Sequence, residues 1–105
     1  MNNNTEKREM NDEKKMVLDS HRGIYFGRVV EVLNDGKTVR MEDARHCFEF
    51  RCDREDRGVY ALATDGPGAG SRIGPEVTMT VNDVSKIIDC APDARARWEA
   101  ATWGE

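Results

Sequence analysis

Residues 24–44 read IYFGRVVEVL-NDG-KTVRMEDA, and this stretch decides the fold class. Its first ten residues are rich in aromatic and β-branched side chains, which favour β-strands. Asp35-Gly36 then supplies the positive φ angles that a tight hairpin turn needs. The following residues alternate, with Val39 and Met41 on one face. We predict a β-hairpin, and Gly27 predicts a bulge or sharp bend in its first strand.

The flanking segments extend this hairpin into a small antiparallel sheet. Residues 16–18 predict a short edge strand, and residues 46–52 predict a third strand whose Phe48 and Phe50 face the core. Further extended segments are predicted at residues 72–81 and 84–90, and short helices at residues 58–64 and 92–100. The predicted class is α+β, mostly antiparallel β: a five- or six-stranded bent sheet or partly open barrel with two short helices.

The chain has 105 residues, which allow one domain. Residues 1–15 are almost wholly polar and predict a disordered N-terminal tail, so residues 16–105 form the single β-rich domain. No apolar run is long enough to span a membrane, and the first residues lack the apolar core of a signal peptide. The three cysteines lack the spacing of a disulfide scaffold, which favours a cytoplasmic location.

Charge and motifs argue against several function classes. With 16 basic and 20 acidic side chains and no strongly basic segment, binding to duplex nucleic acid is disfavoured. The glycine loop of residues 66–70 lacks the last glycine of the dinucleotide fingerprint and the lysine of a P-loop. His46 and Cys47 are adjacent and would point to opposite faces of a strand, and no Cys-x-x-Cys pair exists. We therefore predict no catalytic set, no cofactor and no metal.

The candidate ligand- or partner-binding residues are Arg45, His46 and Arg51. An arginine stacked on Phe48 or Phe50 would form a flat site for a base or a peptide carboxylate. The alternative is that both phenylalanines are core and that the arginines of this region pair with neighbouring carboxylates across the strands. If the binding interpretation holds, Arg45→Ala weakens binding and leaves the fold intact.

A set of short motifs gives the chain a family resemblance. They are Gly23-Ile24-Tyr25-Phe26-Gly27, Gly36-Lys37-Thr38-Val39-Arg40-Met41, Ala44-Arg45-His46, Phe48-Glu49-Phe50 and Ile87-Ile88-Asp89-Cys90. In this combination the chain resembles a family of small proteins encoded mostly by bacteriophages and prophages, over residues 21–103. His46 stands where that family has a second arginine, and Phe48 and Phe50 stand where it has two tryptophans. The resemblance implies a setting, the cytoplasm of an infected or lysogenic bacterial host, but no reaction.

The expected function is that of a non-enzymatic phage or prophage accessory protein that binds a host protein or a small anionic ligand. Residues 23–44 also resemble part of the Sm-like barrel, which implies an oligomeric RNA-binding protein as an alternative. A virion or assembly component is the third alternative. The sequence leaves a homo-oligomer open.

Overall fold

The computed structural model describes residues 13–52 and 55–104. Within them the chain forms six strands and two α-helices. The strands are β1 (Lys15–Asp19), β2 (Ile24–Leu33), β3 (Thr38–Glu49), β4 (Arg72–Ile73), β5 (Val77–Val81) and β6 (Val84–Asp89); the helices are α1 (Ala61–Thr64) and α2 (Pro92–Ala100). Short 3-10 turns at Asn34–Gly36 and Glu55–Tyr60 precede β3 and α1. Most of the predicted tail, residues 1–12, lies outside the described residues.

All strand pairs are antiparallel, and β3 is the longest strand. The sheet runs β6-β1-β2-β3, with β5 and β4 paired along the far edge of β3. There β5 lies beside Val39–Ala44, and β4 lies beside Cys47–Glu49. The predicted class, mostly antiparallel β with two short helices, is confirmed.

The sheet curls into a partly open barrel. Its two edges, β5 and β6, are joined by only Asn82 and Asp83. Three residue steps span at most about 11 Å, so the opposite edges must come close together at this corner. The described residues contain no strand ladder between β5 and β6, and the barrel is therefore not closed.

A bulge in β3 determines which side chains face which side of the sheet. Phe26 pairs with Arg45 and Arg28 pairs with Glu42, so Asp43 and Ala44 together lie opposite Gly27. Asp43 takes a φ of 52°, a left-handed conformation that aspartate tolerates better than most residues. A Cβ on Gly27 would lie 2.7 Å from the Cα of Ala44, so only glycine fits opposite the bulge.

A buried apolar cluster lies on each face of the sheet. This explains why β2 carries apolar side chains on both of its faces. The cluster inside the barrel, here the barrel cluster, contains Val17, Val29, Val39, Met41, Ala44 and Val81. The cluster under the helices, here the helix-side cluster, contains Met16, Ile24, Phe26, Cys47, Leu62, Ala63, Ile73, Cys90, Ala94 and Trp98. Adjacent residues of β1, Met16 and Val17, therefore serve opposite cores, as strand alternation requires.

The structure corrects three details of the sequence interpretation. The strand at residues 16–18 is not an edge strand, because β1 lies between β2 and β6. The segments 38–44 and 46–52 do not form two strands; β3 runs without interruption through the bulge to Glu49. Phe48 is not a core residue, since 56% of its surface is exposed, whereas Phe50 packs half-buried against the helix-side cluster.

The terminal helix agrees with its prediction. It begins at Pro92, ends at Ala100 and buries Ala94 and Trp98. Its C-terminal end is also tied to the start of the described chain, because Lys14 Nζ lies 2.6 Å from a carboxylate oxygen of Glu99. No helix in the described part of the chain is long and apolar enough to cross a membrane.

Candidate functional site

A row of four rings lies across one end of the barrel. We call it the aromatic strip: Tyr25, His46, Phe48 and Trp103. The ring centroids are 4.8 Å apart between Tyr25 and His46, 4.2 Å between His46 and Phe48, and 5.0 Å between Phe48 and Trp103. The separations of 4.8 and 5.0 Å are typical of aromatic pairs and the His46–Phe48 pair is slightly closer, so the rings support one another.

The strip follows from the register of the sheet. Tyr25 of β2 pairs directly with His46 of β3, and the bulge at Asp43 turns His46 and Phe48 toward the barrel side. Trp103 is brought alongside by an isolated bridge to Arg72 of β4. A Cβ on Gly74 would lie 3.1 Å from the Phe48 ring, so the absence of a side chain there makes room for that ring. Four separate chain segments thus hold the site.

The strip presents the rings of Phe48 and Trp103 to solvent. Phe48 is 56% exposed and Trp103 is 54% exposed, whereas Tyr25 and His46 are half-buried. Tyr25 packs against the barrel cluster. The strip therefore leads from the barrel cluster to the surface, and contiguous exposed apolar side chains of this kind mark interaction sites.

Two guanidinium groups flank the Trp103 end of the strip. The Arg72 guanidinium carbon lies 5.9 Å from the centroid of the Trp103 ring. Glu49 accepts a hydrogen bond from Arg51 Nη2 at 3.0 Å and forms an ion pair with Arg72, whose Nε lies 3.5 Å from Glu49 Oε1. The three side chains are well exposed and carry a net charge of +1, so this end of the strip attracts an anionic group.

The Tyr25 end is held by the turn between β1 and β2. The Tyr25 hydroxyl donates to the Asp19 carboxylate, which also accepts from the backbone N–H groups of Gly23 and His21. Desolvation acts to raise the pKa of Asp19, but these three donors outweigh it and hold the pKa below its ordinary value. Tyr25 is thereby fixed on a charged, ordered turn.

His46 is expected to make the stability of the fold pH-dependent. Desolvation lowers its pKa below 6.5, and the Asp19 charge only partly opposes this shift. Because the unfolded chain takes up this proton first as pH falls, stability is complete above 6.5 and falls as pH drops through 6.5 toward the folded pKa. Urea unfolding of the wild type between pH 8 and 5 should show this fall, and His46→Asn should reduce it. Equal pH profiles for the two proteins would contradict the expectation.

Of the predicted site residues, Arg45 lies on the other face of the sheet. Its guanidinium donates to the carbonyl oxygens of Gly74 at 2.7 Å, Trp98 at 2.7 Å and Ala101 at 2.8 Å, with longer contacts to Ile73 and Glu99 at 3.4 Å. These acceptors include the last carbonyls of α2, where a positive charge is favourable. Of the three predicted residues, His46 is therefore part of the strip and Arg51 lies at its end. Arg45 instead donates its hydrogen bonds to the end of the terminal helix and the adjoining backbone.

Three residues of the site are missing from the sequence interpretation. Tyr25 is predicted only as a strand residue, and Trp103 lies beyond the last predicted element. Arg72 follows the glycine loop and carries no motif. The pairing of residues 71–73 with residues 102–104 brings Arg72 and Trp103 to the strip. No pattern in the sequence predicts that these two segments pair.

The buried thiols lie away from this surface. Burial raises the pKa of Cys47 to about 12 and the pKa of Cys90 to about 11. At neutral pH both are thiols, which are poor nucleophiles. Across residues 13–52 and 55–104, no three His, Cys, Asp or Glu side chains are grouped so that they could hold a metal ion.

Comparison with known proteins places the chain in a family. No curated protein and no solved structure matches the chain. A family model, described as a domain of unknown function, DUF6948, matches residues 13–98. The matched range includes Tyr25, His46 and Phe48 and ends five residues before Trp103. Because it covers most of the 105 residues, the chain belongs to the DUF6948 family.

Proposed function

We propose that this protein is a non-catalytic binding module that holds a protein partner on the aromatic strip. The observation that carries the proposal is the exposure of Phe48 and Trp103, each more than half accessible, in one continuous row of rings. Burying two such rings against a partner would contribute more binding free energy than any other exposed group of this surface.

The composition of the strip supports a protein partner. Tryptophan, tyrosine and arginine are the residues that dominate the energetics of protein interfaces. The strip also needs little ordering on binding, because its rings already contact one another and stand on paired strands. Preorganisation of this kind lowers the entropic cost of association.

The charges beside the strip indicate the chemistry of the partner. Arg72 and Arg51 share Glu49 and leave one positive charge next to Trp103. A partner segment with an aromatic or aliphatic side chain followed closely by a carboxylate would satisfy both features. From the resemblance to phage and prophage proteins, we infer that this partner is a host protein in the bacterial cytoplasm.

The double variant Phe48→Ser/Trp103→Ser is expected to lose the partner while keeping the fold. Both rings are exposed, so their truncation should change the free energy of unfolding by less than about 1 kcal/mol. The wild type and the variant would be immobilised in parallel, exposed to bacterial lysate and compared by quantitative mass spectrometry. A partner of the strip should be depleted at least tenfold on the variant.

The hairpin tip supplies the matched control. Val32 and Leu33 are also exposed, at 51% and 39%, but lie beside the β2–β3 turn. Val32→Ser/Leu33→Ser should capture the same proteins as the wild type. If the strip variant and the wild type retain identical protein sets, or if only the hairpin variant loses its partner, the strip is not the binding surface.

Binding of single-stranded RNA is a second candidate function. The guanidinium of Arg72 lies over Trp103 in a row of rings, an arrangement on which unpaired bases can stack. An Sm-like protein would also assemble into a ring. A fluorescently labelled oligouridylate tests the first requirement and sedimentation velocity tests the second. A monomer that shows no change in anisotropy at physiological salt would remove this candidate.

A further inference from the structure

A second site lies on the helix side of the sheet, away from the aromatic strip. It is a cleft of about 270 Å³ between the end of β1, the start of β2 and the segment that leads into α1. Four apolar side chains line it: Leu18, Ile24, Phe50 and Val59. All four belong to the helix-side cluster or pack against it, so the floor of the cleft is part of the core.

One charged side chain also lines the cleft. Arg22 is exposed, and within the described chain its guanidinium forms no ion pair and no hydrogen bond. This distinguishes it from Arg28, Arg45, Arg51 and Arg72, whose guanidinium groups all have partners. An unengaged guanidinium beside an apolar cleft is complementary to a carboxylate that carries an apolar body.

The turn that carries Arg22 is rigid. Asp19 accepts from the backbone N–H of His21 at 2.9 Å and of Gly23 at 2.7 Å, and its own N–H donates to the Gly23 carbonyl at 3.1 Å. The Ser20 N–H donates to the carbonyl of Asp83 at 2.9 Å, which ties the turn to the start of β6. Arg22 itself takes a φ of 73° within this braced turn. The Arg22 backbone is therefore held in place beside the cleft before any ligand arrives.

We propose that this cleft binds a small amphipathic monocarboxylate, with its apolar body against Leu18, Ile24, Phe50 and Val59 and its carboxylate paired with Arg22. The volume limits the size of the ligand. An apolar cavity of about 150 Å³ holds one benzene, so this cleft accommodates an apolar body of about ten carbon atoms. The positive charge of Arg22 favours an anionic ligand over a cationic one in this cleft.

Octanoate is a suitable probe, with octan-1-ol and octylamine as its neutral and cationic counterparts. The full chain, labelled with ¹⁵N, would be titrated with each compound and followed by its backbone amide resonances. We expect saturable octanoate binding with a Kd on the order of 0.1–1 mM, which is ordinary for a ligand of this size. The shifted amides should be those of Leu18–Ile24, Phe50 and Val59. Octan-1-ol should bind at least fivefold more weakly and octylamine more weakly still.

Three variants separate recognition by charge from simple apolar adsorption. Arg22→Gln should weaken octanoate binding about five- to tenfold and leave octan-1-ol binding unchanged. Arg40→Gln, an exposed arginine on β3 outside the cleft, is the control and should change neither. Val59→Phe fills the cleft and should abolish binding of both compounds; it serves as a second test should Arg22→Gln misfold.

Several outcomes would overturn the proposal. One is the absence of saturable chemical-shift changes at octanoate concentrations up to about 10-fold above the expected Kd range. The others are equal affinities for octanoate and octan-1-ol, a higher affinity for octylamine than for octanoate, and shift changes confined to the aromatic strip. None of these outcomes affects the protein partner proposed for the strip, because the two sites share no residue.

Discussion

Arg45→Met is expected to lower the free energy of unfolding by about 2–4 kcal/mol, although arginine is usually a surface residue whose replacement costs little. Its three short hydrogen bonds reach Gly74, Trp98 and Ala101, and so join β3 to the chain beyond β4 and to the end of α2. Methionine keeps much of the side-chain length but leaves these carbonyls without their donor. Urea unfolding at pH 7.5 followed by far-UV circular dichroism measures the loss.

Two further variants show whether the hydrogen bonds are the cause. Arg45→Lys keeps the charge but lacks the planar fork, so it should recover only part of the lost stability. Arg40→Met removes an exposed arginine of the same strand, whose guanidinium donates to Thr80, and should cost less than about 0.5 kcal/mol. If Arg45→Met were as stable as Arg40→Met, Arg45 would be free for the binding role that the sequence suggests.

The sequence predicts the elements of this fold better than it predicts their faces. The bounds of β2 and α2 follow from local sequence. β2 is an apolar strand that ends just before Asn34-Asp35-Gly36, and α2 begins at Pro92 and buries Ala94 and Trp98. The faces of β3 depend instead on the bulge at Asp43. The extra residue in this bulge moves every following side chain of β3 to the opposite face of the sheet. No local signal distinguishes Asp43 from an ordinary aspartate that favours turns.

The same bulge explains how much of the candidate site could be predicted. His46 and Arg51 lie in or beside the strip, but the bulge sends Arg45 to the helix side and Phe48 to the surface. Trp103 and Arg72 reach the strip through pairings between segments about thirty residues apart in the chain. Such long-range contacts are a property of the assembled sheet, and periodicity along one segment carries no information about them.

Trp98→Ala is expected to cost about 3–5 kcal/mol, the largest loss from any single truncation in the described chain. Trp98 is fully buried, and its ring stacks on Phe26 with a centroid distance of 4.9 Å and an interplanar angle of 4°. Its indole Nε1 also donates to the carbonyl of Leu62 at 3.0 Å. One side chain therefore connects α2 to β2 and to α1, and its removal leaves a cavity between the sheet and both helices.

Comparison with the second tryptophan makes this a matched experiment. Trp103→Ala should lower the free energy of unfolding by less than about 1 kcal/mol, because that ring is 54% exposed. Trp98→Phe should lower it by an intermediate amount, because it keeps the stack on Phe26 and loses the hydrogen bond to Leu62. The wild type and all three variants would be compared by chemical unfolding. Equal losses for Trp98→Ala and Trp103→Ala would mean that α2 does not pack on the sheet through Trp98. The expected order would instead separate the ring that holds the fold together from the ring that is available to a partner.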